Sequence, residues 1–511
     1  MDPASKIVTL EQLSIIADGC RSDGRSVVLC HGGFDLLHPG HIRHLQRARA
    51  EGDVLLVSIT ADAYINKGPG RPVFSHTLRA DSLAALSFVD YVTIIYDATA
   101  LPAIQALKPS VYAKGNDYSQ SSQDLTGNIN LEREAVEANG GRIFFTNEVT
   151  FSSSNLLNTY FDVFSADTRR YLTEFGHTHT SEQLINQLRQ LSPMRVLVVG
   201  EAIIDEYCYT TPLGQTGKSG NILSVRYDGS ELFAGGALAV ANHLAGFVEN
   251  VTLVTALGRP PDNHEPFIRS QLLPNVTPIL RYFSSTPTIV KRRYVDGDIN
   301  KFFEVYFYDD RTALTDALDL DLSQWIRDNA ADYDLVVVPD YGNGMIFADQ
   351  IKALCDTARF LAVNTQINSG NRGYHVITRY PRADFVSLNE NEVRLADHNR
   401  HAPLEEVAAK IAAVVGAKQM AVTLGTQGAI MLDRERNASY RASVLSSRVV
   451  DRIGAGDAFL AIASLCLAGG MPADAALFLG STAAALDVQV VCNRETISPV
   501  NLFKYVTTLL K

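Results

Sequence analysis

Two groups of residues in this chain have the types and spacing that phosphate chemistry needs. The first lies in 27–45, VVLCHGGFDLLHPGHIRHL, where an apolar run (Val27, Val28, Leu29) reads as a buried strand, Gly32 and Gly33 as a tight exit, and a helix starts near His38. His38 and His41 stand three apart on the first helical turn, so both rings point the same way. A helix N-terminus offers free backbone N–H groups and a favourable dipole to an anion, and with the glycines and the histidine pair it describes a cradle for a nucleotide's phosphates. Two histidines at this spacing also suit a metal pair, or two surface residues on an ordinary α/β turn. The second group is VDRIGAGDAF at 450–459, where a small-residue turn leads into an apolar helix. The N–H groups of Gly454, Ala455 and Gly456 form an anion nest there, and Asp457 stands at the helix start. A carboxylate in that place can take the proton from a hydroxyl as it attacks a γ-phosphate held by the nest. The plainer reading is an N-capping aspartate after a glycine-rich loop.

The two sites ask for different chemistry. In nucleotidyl transfer the nucleophile is a phosphate oxygen that is already anionic, so no protein base is needed. What helps is a set of donors aimed at the charge building on the α-phosphate and the departing pyrophosphate. Two imidazoles at a helix start supply that, and Mg²⁺ carried by the triphosphate would neutralise the rest.

Around these residues the chain reads as alternating strands and helices. From Val27 to about Phe161, the strands VLLVSIT, YVTII, VYAKG and RIFFT alternate with helices after Thr77, near 101–107 and around 131–139, after a first helix at 10–20. This is the pattern of a parallel sheet with covering helices, which binds ligands at the carboxyl ends of its strands. The segment 166–193 reads as a helical linker. Its His177 and His179 suit a solvated connector better than a metal pair. RVLVVGEAIID, from Arg195, opens a second α/β unit. The division expected is 1–165, a linker 166–193, and 194–511. GQTGKSGN is not a P-loop, since Pro212 stands where its first glycine belongs, and Lys218 is expected on the substrate side or the lid.

Length and composition bound the class. A chain of 511 residues needs two or three domains. A net charge of −11 argues against a nucleic-acid-binding surface. Cys20, Cys30, Cys208, Cys355, Cys466 and Cys492 show no paired spacing and read as reduced packing residues. With no apolar run long enough to span a bilayer, the expectation is a cytoplasmic protein with no membrane partner, acting on small molecules as a homo-oligomer.

His38-Pro39-Gly40-His41 within GGFDLLHPGH resembles the HxGH signature of the cytidylyltransferase-like nucleotidyltransferases. The resemblance implies a Rossmann-like nucleotidyltransferase domain with Gly32, Gly33, Phe34 and Lys114 on the nucleotide. Gly70-Arg71-Pro72-Val73 with Arg79 resembles the segment in which a cation faces substrate, and Lys114-Gly115-Asn116-Asp117-Tyr118 the KGxDY turn of the sugar-phosphate branch, placing Arg71, Arg79 and Asp117 at the substrate. Ser152, Ser153 and Ser154 fall where that family donates to the β- and γ-phosphates.

From Arg195 onward the chain resembles the ribokinase-like (phosphofructokinase-B) sugar kinases. That resemblance implies a ribokinase-like α/β domain with a small β-lid from 221–227 and 288–308. It places Asp205, Gly235, Gly236 and Asn242 at the sugar, and Thr423, Gly425, Gly428, Gly454, Ala455 and Gly456 at ATP. Asn389 and Glu392 would organise Mg²⁺ and phosphates, Glu392 indirectly, and Asp457 would be the catalytic base. A kinase and a transferase in one chain resemble the bifunctional enzymes of nucleotide-activated heptose synthesis, here with the transferase first. ATP is the implied kinase donor, and ATP or CTP the nucleotidyl donor. The alternatives are a kinase half for a different sugar or polyol, or a regulatory binding module. Ala239 stands where the kinases carry an asparagine, and Asn343 and Gln366 where heptose kinases carry lysines. Lys291, Arg292 and Arg293 are candidates to restore that charge from the lid.

Overall fold

The computed structural model describes residues 2–65, 71–115, 128–146, 164–215, 222–259, 264–283, 286–309, 318–371 and 373–511. Asp117, Ser152, Ser153, Ser154 and Lys218 lie outside the described residues. The chain divides into two compact units, one of residues 1–165 with 503–511 and one of 166–502.

The first unit is built on five strands, β1 (Val27–Gly32), β2 (Val54–Thr60), β3 (Tyr91–Ile95), β4 (Val111–Gly115) and β5 (Arg142–Thr146). They lie in the order β3-β2-β1-β4-β5 and pair in parallel throughout. Every residue of β2 is buried, as a strand with helices on both faces must be. Val28, Cys30, Leu55 and Val57 pack on one face, and Val27, Leu29, Leu56 and Tyr112 on the other. The chain leaves β1 to one side for β2 and returns on its other side for β4, so the carboxyl end of β1 is the switch point where such sheets bind ligands.

The second unit contains β6 (Arg195–Val199), β7 (Ala202–Gln215), β8 (Leu223–Gly236), β9 (Asn250–Leu257), β10 (Val276–Tyr282), β11 (Ile289–Val295), β12 (Lys301–Phe307), β13 (Leu335–Asp340), β14 (Leu361–Thr365), β15 (Phe385–Asn389), β16 (Gln419–Thr423), β17 (Ala429–Asp433) and β18 (Ala438–Ala442). Nine of them form one sheet, β10-β9-β6-β13-β14-β15-β16-β17-β18, parallel from β10 to β16 and antiparallel beyond. A four-stranded sheet, β12-β11-β7-β8, is the lid. It is larger than the two segments expected, because the strand carrying Asp205 belongs to it. The inner half of β7 is buried and its last five residues are exposed.

The segment 166–193 is not a solvated connector. It forms helices Ala166–Thr178 and Ser181–Gln190, and it groups with the second unit. Phe175 stacks on Phe478 with ring centroids 4.4 Å apart, Leu184, Ile185 and Leu188 are buried, and His179 Nε2 lies 2.8 Å from Asp474. The physical reason is an apolar stripe on the second helix, Leu184, Ile185 and Leu188, that is buried within the unit. Residues 503–511 group with the first unit, away from the span 194–511 expected to hold them.

Candidate active sites

In the first unit, His38 is the N-cap of helix Pro39–Arg49, and its Nδ1 accepts the Gly40 N–H at 3.1 Å. That bond leaves the proton of the neutral ring on Nε2, a buried donor with no hydrogen-bond partner among the described residues. Burial pulls the His38 pKa down, which keeps the ring in this neutral, donating form. His41 stacks on His38 with centroids 3.9 Å apart, and Phe34 meets His41 edge-on at 5.4 Å. Phe34 sits at φ +44°, so the glycine-rich exit turns sharply enough to bring its ring back over Gly32. One turn further along the helix, His44 meets Thr146 Oγ1 at 2.8 Å, its pKa pushed down to about 4 by burial and by Lys114.

The loops around this pair are tied together by polar groups. Both oxygens of Asp35 accept the Val73 N–H at 2.9 Å, and Oδ1 also accepts that of Phe74 at 3.1 Å, fastening the histidine loop to the Arg-Pro-Val segment. Arg71 is held there with its pKa pulled down to about 10 by burial, against the opposing field of Asp35. Arg79 corrects the expectation of a substrate-facing cation. It is buried, donating through Nε to Phe74 O at 3.0 Å, through Nη1 to Gly33 O, and through Nη2 to Thr60 O at 2.8 Å and Asp62 at 2.6 Å. It therefore braces the loop that presents the histidines. Lys114 pairs with the buried Glu132 at 2.9 Å, so its charge is already countered.

In the second unit a cavity of about 480 Å³ brings most of the expected kinase residues together. Asp205, Gly236, Asn389, Glu392, Thr423, Gly425, Gly428, Gly454, Ala455, Gly456 and Asp457 all line it. Asp457 opens helix Ala455–Ala468, and its Oδ1 accepts the Tyr341 hydroxyl at 2.6 Å. Burial, reinforced by Asp205, pushes the Asp457 pKa up to about 7, against the Tyr341 hydrogen bond and Lys291, which lower it. A carboxyl poised there is matched to taking a proton near neutral pH. Tyr341 is held in turn by Glu201, whose buried carboxyl accepts the Tyr341 N–H at 3.0 Å and the Asn343 N–H at 3.1 Å.

Asn389 and Glu392 form a reciprocal cap. Asn389 Oδ1 accepts the Glu392 N–H at 3.0 Å, and Glu392 Oε2 accepts the Asn389 N–H at 2.8 Å. Burial pushes the Glu392 pKa up to about 7. At the nucleotide side, Gly428 sits at φ +88°, and a Cβ there would collide with Ala442 O, so only glycine closes this turn.

In the four-stranded sheet, β7 and β11 run in parallel with Asp205 opposite Lys291. Arg293 is ion-paired to Asp205 and, at 3.0 Å, to Glu304. Lys291 is buried, meets Gln366 Oε1 at 3.5 Å, and lies 5.6 Å from the centres of the Tyr306 and Tyr341 rings. Gly235 sits behind the cavity wall, where an added Cβ would collide with Asp205. Asn242 corrects a second expectation. Its amide donates to Gln271 O at 2.9 Å and accepts the Leu273 N–H at 3.0 Å, and it does not line the cavity. Tyr341 and Asn364 line the cavity without having been singled out from the sequence. The signal for the cations was present, since Lys291 and Arg293 stand two apart on a strand and so share a face.

A cavity lined by a helix N-terminus, a near-neutral carboxyl, a buried cation and an ion pair holds the groups that phosphoryl transfer calls for. Comparison with known proteins narrows this. The sequence pattern of the pfkB family carbohydrate kinases matches residues 194–499, and that of the cytidylyltransferase-like proteins matches residues 29–159. The chain belongs to the pfkB family of carbohydrate kinases and carries a cytidylyltransferase-like domain in front of it. Among curated proteins, the bifunctional protein HldE of Pelobacter propionicus is 40% identical over 144 residues, and that of Citrifermentans bemidjiense 42% over 144, each match covering 28% of both chains. The chain thus spans under a third of the length of these relatives. Among solved structures, the phosphofructokinase-2 of Escherichia coli with fructose-6-phosphate is similar to 62% of this chain and 100% of its own, at 16% identity and a TM-score of 0.48. Among the described residues, no helix is long and apolar enough to cross a membrane.

Proposed function

We propose that the chain is a bifunctional enzyme of nucleotide-activated sugar synthesis, of the heptose type. The second unit transfers the γ-phosphate of ATP to a sugar or sugar phosphate. The first transfers a nucleotidyl group from ATP or CTP to a sugar 1-phosphate, releasing pyrophosphate. The observation that carries this reading is the cavity lined together by Asp457, the 454–456 turn, Glu392, Asp205 and Lys291.

In this reading the acceptor hydroxyl sits against Asp457, which takes its proton as the oxygen attacks a γ-phosphate held by the turn's N–H groups. Tyr341 keeps part of the Asp457 population ionised at neutral pH by donating to the carboxylate. Glu392 and Asn389 fit a hard cation carried by the triphosphate, since both present oxygens at the cavity wall while their reciprocal bonds hold them still. When bound, Mg²⁺ supplies charge neutralisation to the phosphates. In the first unit the His38 Nε2–H is the donor offered to the phosphates, and Arg79 and Asp35 hold its loop in place.

A second reading for the kinase half is favoured by the neutral amide Gln366, which lines the cavity at a position where heptose kinases carry a lysine. It holds that the preferred acceptor is another sugar than the 7-phosphate of D-manno-heptose. One experiment tests both: full-length protein with each nucleoside triphosphate and a panel of heptose and hexose phosphates and free sugars, with products identified by mass spectrometry. ADP with a phosphorylated sugar, and pyrophosphate with a nucleotide-sugar, are the expected products. Absence of both overturns the bifunctional reading, and a clear preference for the manno-heptose 7-phosphate removes the second one.

A further inference from the structure

Behind the 454–456 turn lies a line of buried polar groups that phosphoryl transfer does not use. Asp487 ends helix Ala473–Asp487, is fully buried, and neither of its carboxyl oxygens has a hydrogen-bond partner among the described residues. On one side, His243 Nε2 stands 3.9 Å from its Oδ1. His243 Nδ1 accepts the Ile497 N–H at 3.1 Å, so the neutral ring carries its proton on Nε2, the nitrogen nearer Asp487. On the other side, Oδ2 backs onto Gly454, where an added Cβ would stand 2.7 Å from it and would also collide with Asn493 Oδ1. Asn493 Oδ1 is itself buried with no hydrogen-bond partner among the described residues.

These groups are complementary only if Asp487 keeps its proton. The order is then a donor on His243, an acid that accepts on Oδ1 and donates from Oδ2, and an acceptor on Asn493. A carboxylate in the same place would face a single donor, the His243 Nε2–H at 3.9 Å and beyond hydrogen-bond reach, and would sit at the negative end of its own helix. The charged and titratable groups that face it agree. Asp457 on the following turn and Asp451 before it both oppose a further negative charge, and burial holds His243 neutral with its pKa near 4.

We propose that Asp487 is a positioning residue of the kinase's phosphate-binding turn, a neutral carboxylic acid that supports Gly454 from behind without placing a charge behind the phosphates. This rests on reading the 454–456 turn as the ATP site. An ionised group there would compete with the triphosphate for the same positive helix end.

The test is calorimetric titration of full-length protein with MgATP at neutral pH, with Gly454→Val to identify the kinase site in the two-site isotherm. Asp487→Asn, which keeps the shape, the acceptor and the donor, is expected to bind ATP at that site within about twofold of wild type, whereas Asp487→Ala weakens it by about fivefold or more. The infrared difference spectrum, wild type minus Asp487→Asn, is expected to show the carbonyl band of a protonated carboxyl. Loss of ATP affinity in the Asn variant equal to that in the Ala variant, failure of the Asn variant to fold, unchanged affinity in both, or a carboxylate band in the difference spectrum each overturns the proposal. A Gly454→Val protein that titrates like wild type overturns the reading of the ATP site instead.

Discussion

Removing the Tyr341 hydroxyl should move the pH profile of the kinase reaction, and the size of the move follows from one hydrogen bond. Tyr341 donates to Asp457 Oδ1 at 2.6 Å, and that bond lowers a carboxyl pKa that burial has raised to about 7. A hydrogen bond to a charged group is worth roughly 1.5–3 kcal/mol, and one pKa unit about 1.36, so Tyr341→Phe should raise Asp457 by about 1–2 units. The base acts as the carboxylate, so activity is present above its pKa and lost as pH falls through it. At about pH 7.5 the ionised fraction falls from about three-quarters to between about a quarter and about a thirtieth, a rate loss of roughly three- to 25-fold that is largely recovered near pH 9.5. The assay is ADP formation against pH, using the best acceptor of the panel. An unshifted acid limb with a uniform loss of rate would refute the reasoning and place Tyr341 on the substrate. No change at all would remove the bond from the mechanism.

Other consequences are open to measurement. Asp457→Asn should abolish sugar phosphorylation while ATP still binds, because under the proposed roles the turn holds phosphate through backbone N–H groups, and calorimetry beside turnover checks it. Replacing His38 or His41 by Ala should cost nucleotidyl transfer ~10²–10³-fold and leave ADP formation unchanged, read as pyrophosphate and ADP release in the same samples. A fragment starting at Ala166 should unfold cooperatively, whereas one starting at Ser192 should be insoluble or molten, as judged by circular dichroism and thermal melts. The shorter fragment loses Phe175, Leu184, Ile185, Leu188 and Leu191 from buried positions. At roughly 1.5–3 kcal/mol each, that is on the order of 10 kcal/mol, comparable with the whole stability of a domain.

Short-range signals carried most of what the sequence disclosed. Glycines that only a turn explains, a histidine pair at helical spacing and an aspartate after Gly-Ala-Gly are all local, and the cavity of the second unit collects nearly all the residues they marked there. Arg79 and Asn242 misled because their partners come from distant segments. Nothing near position 79 shows that Gly33, Thr60 and Asp62 will consume its guanidinium, and nothing near 242 shows that 271–273 will take its amide. The reverse holds for Tyr341, whose partner lies 116 positions away. The segment 166–193 carried a usable warning. Leu184, Ile185 and Leu188 stand on one face of its second helix, and an apolar stripe of that kind asks for a covering surface.

Under the proposed roles, the charged contacts to the sugar and the contacts to the triphosphate come from different scaffolds of the second unit. Asp205, Lys291 and Arg293 ride on the four-stranded sheet, whereas Asn389 and Thr423 end strands of the nine-stranded one and Glu392, Gly425 and the 454–457 turn follow from it. Under the proposed roles, mutations in β7, β11 or their hairpins can shift sugar preference while the triphosphate machinery stays as it is. Selection can therefore explore new acceptors step by step through catalytically competent intermediates. By the same separation, a compound that bridges Lys291 and the 454–456 turn would keep part of its hold after a change in either scaffold alone.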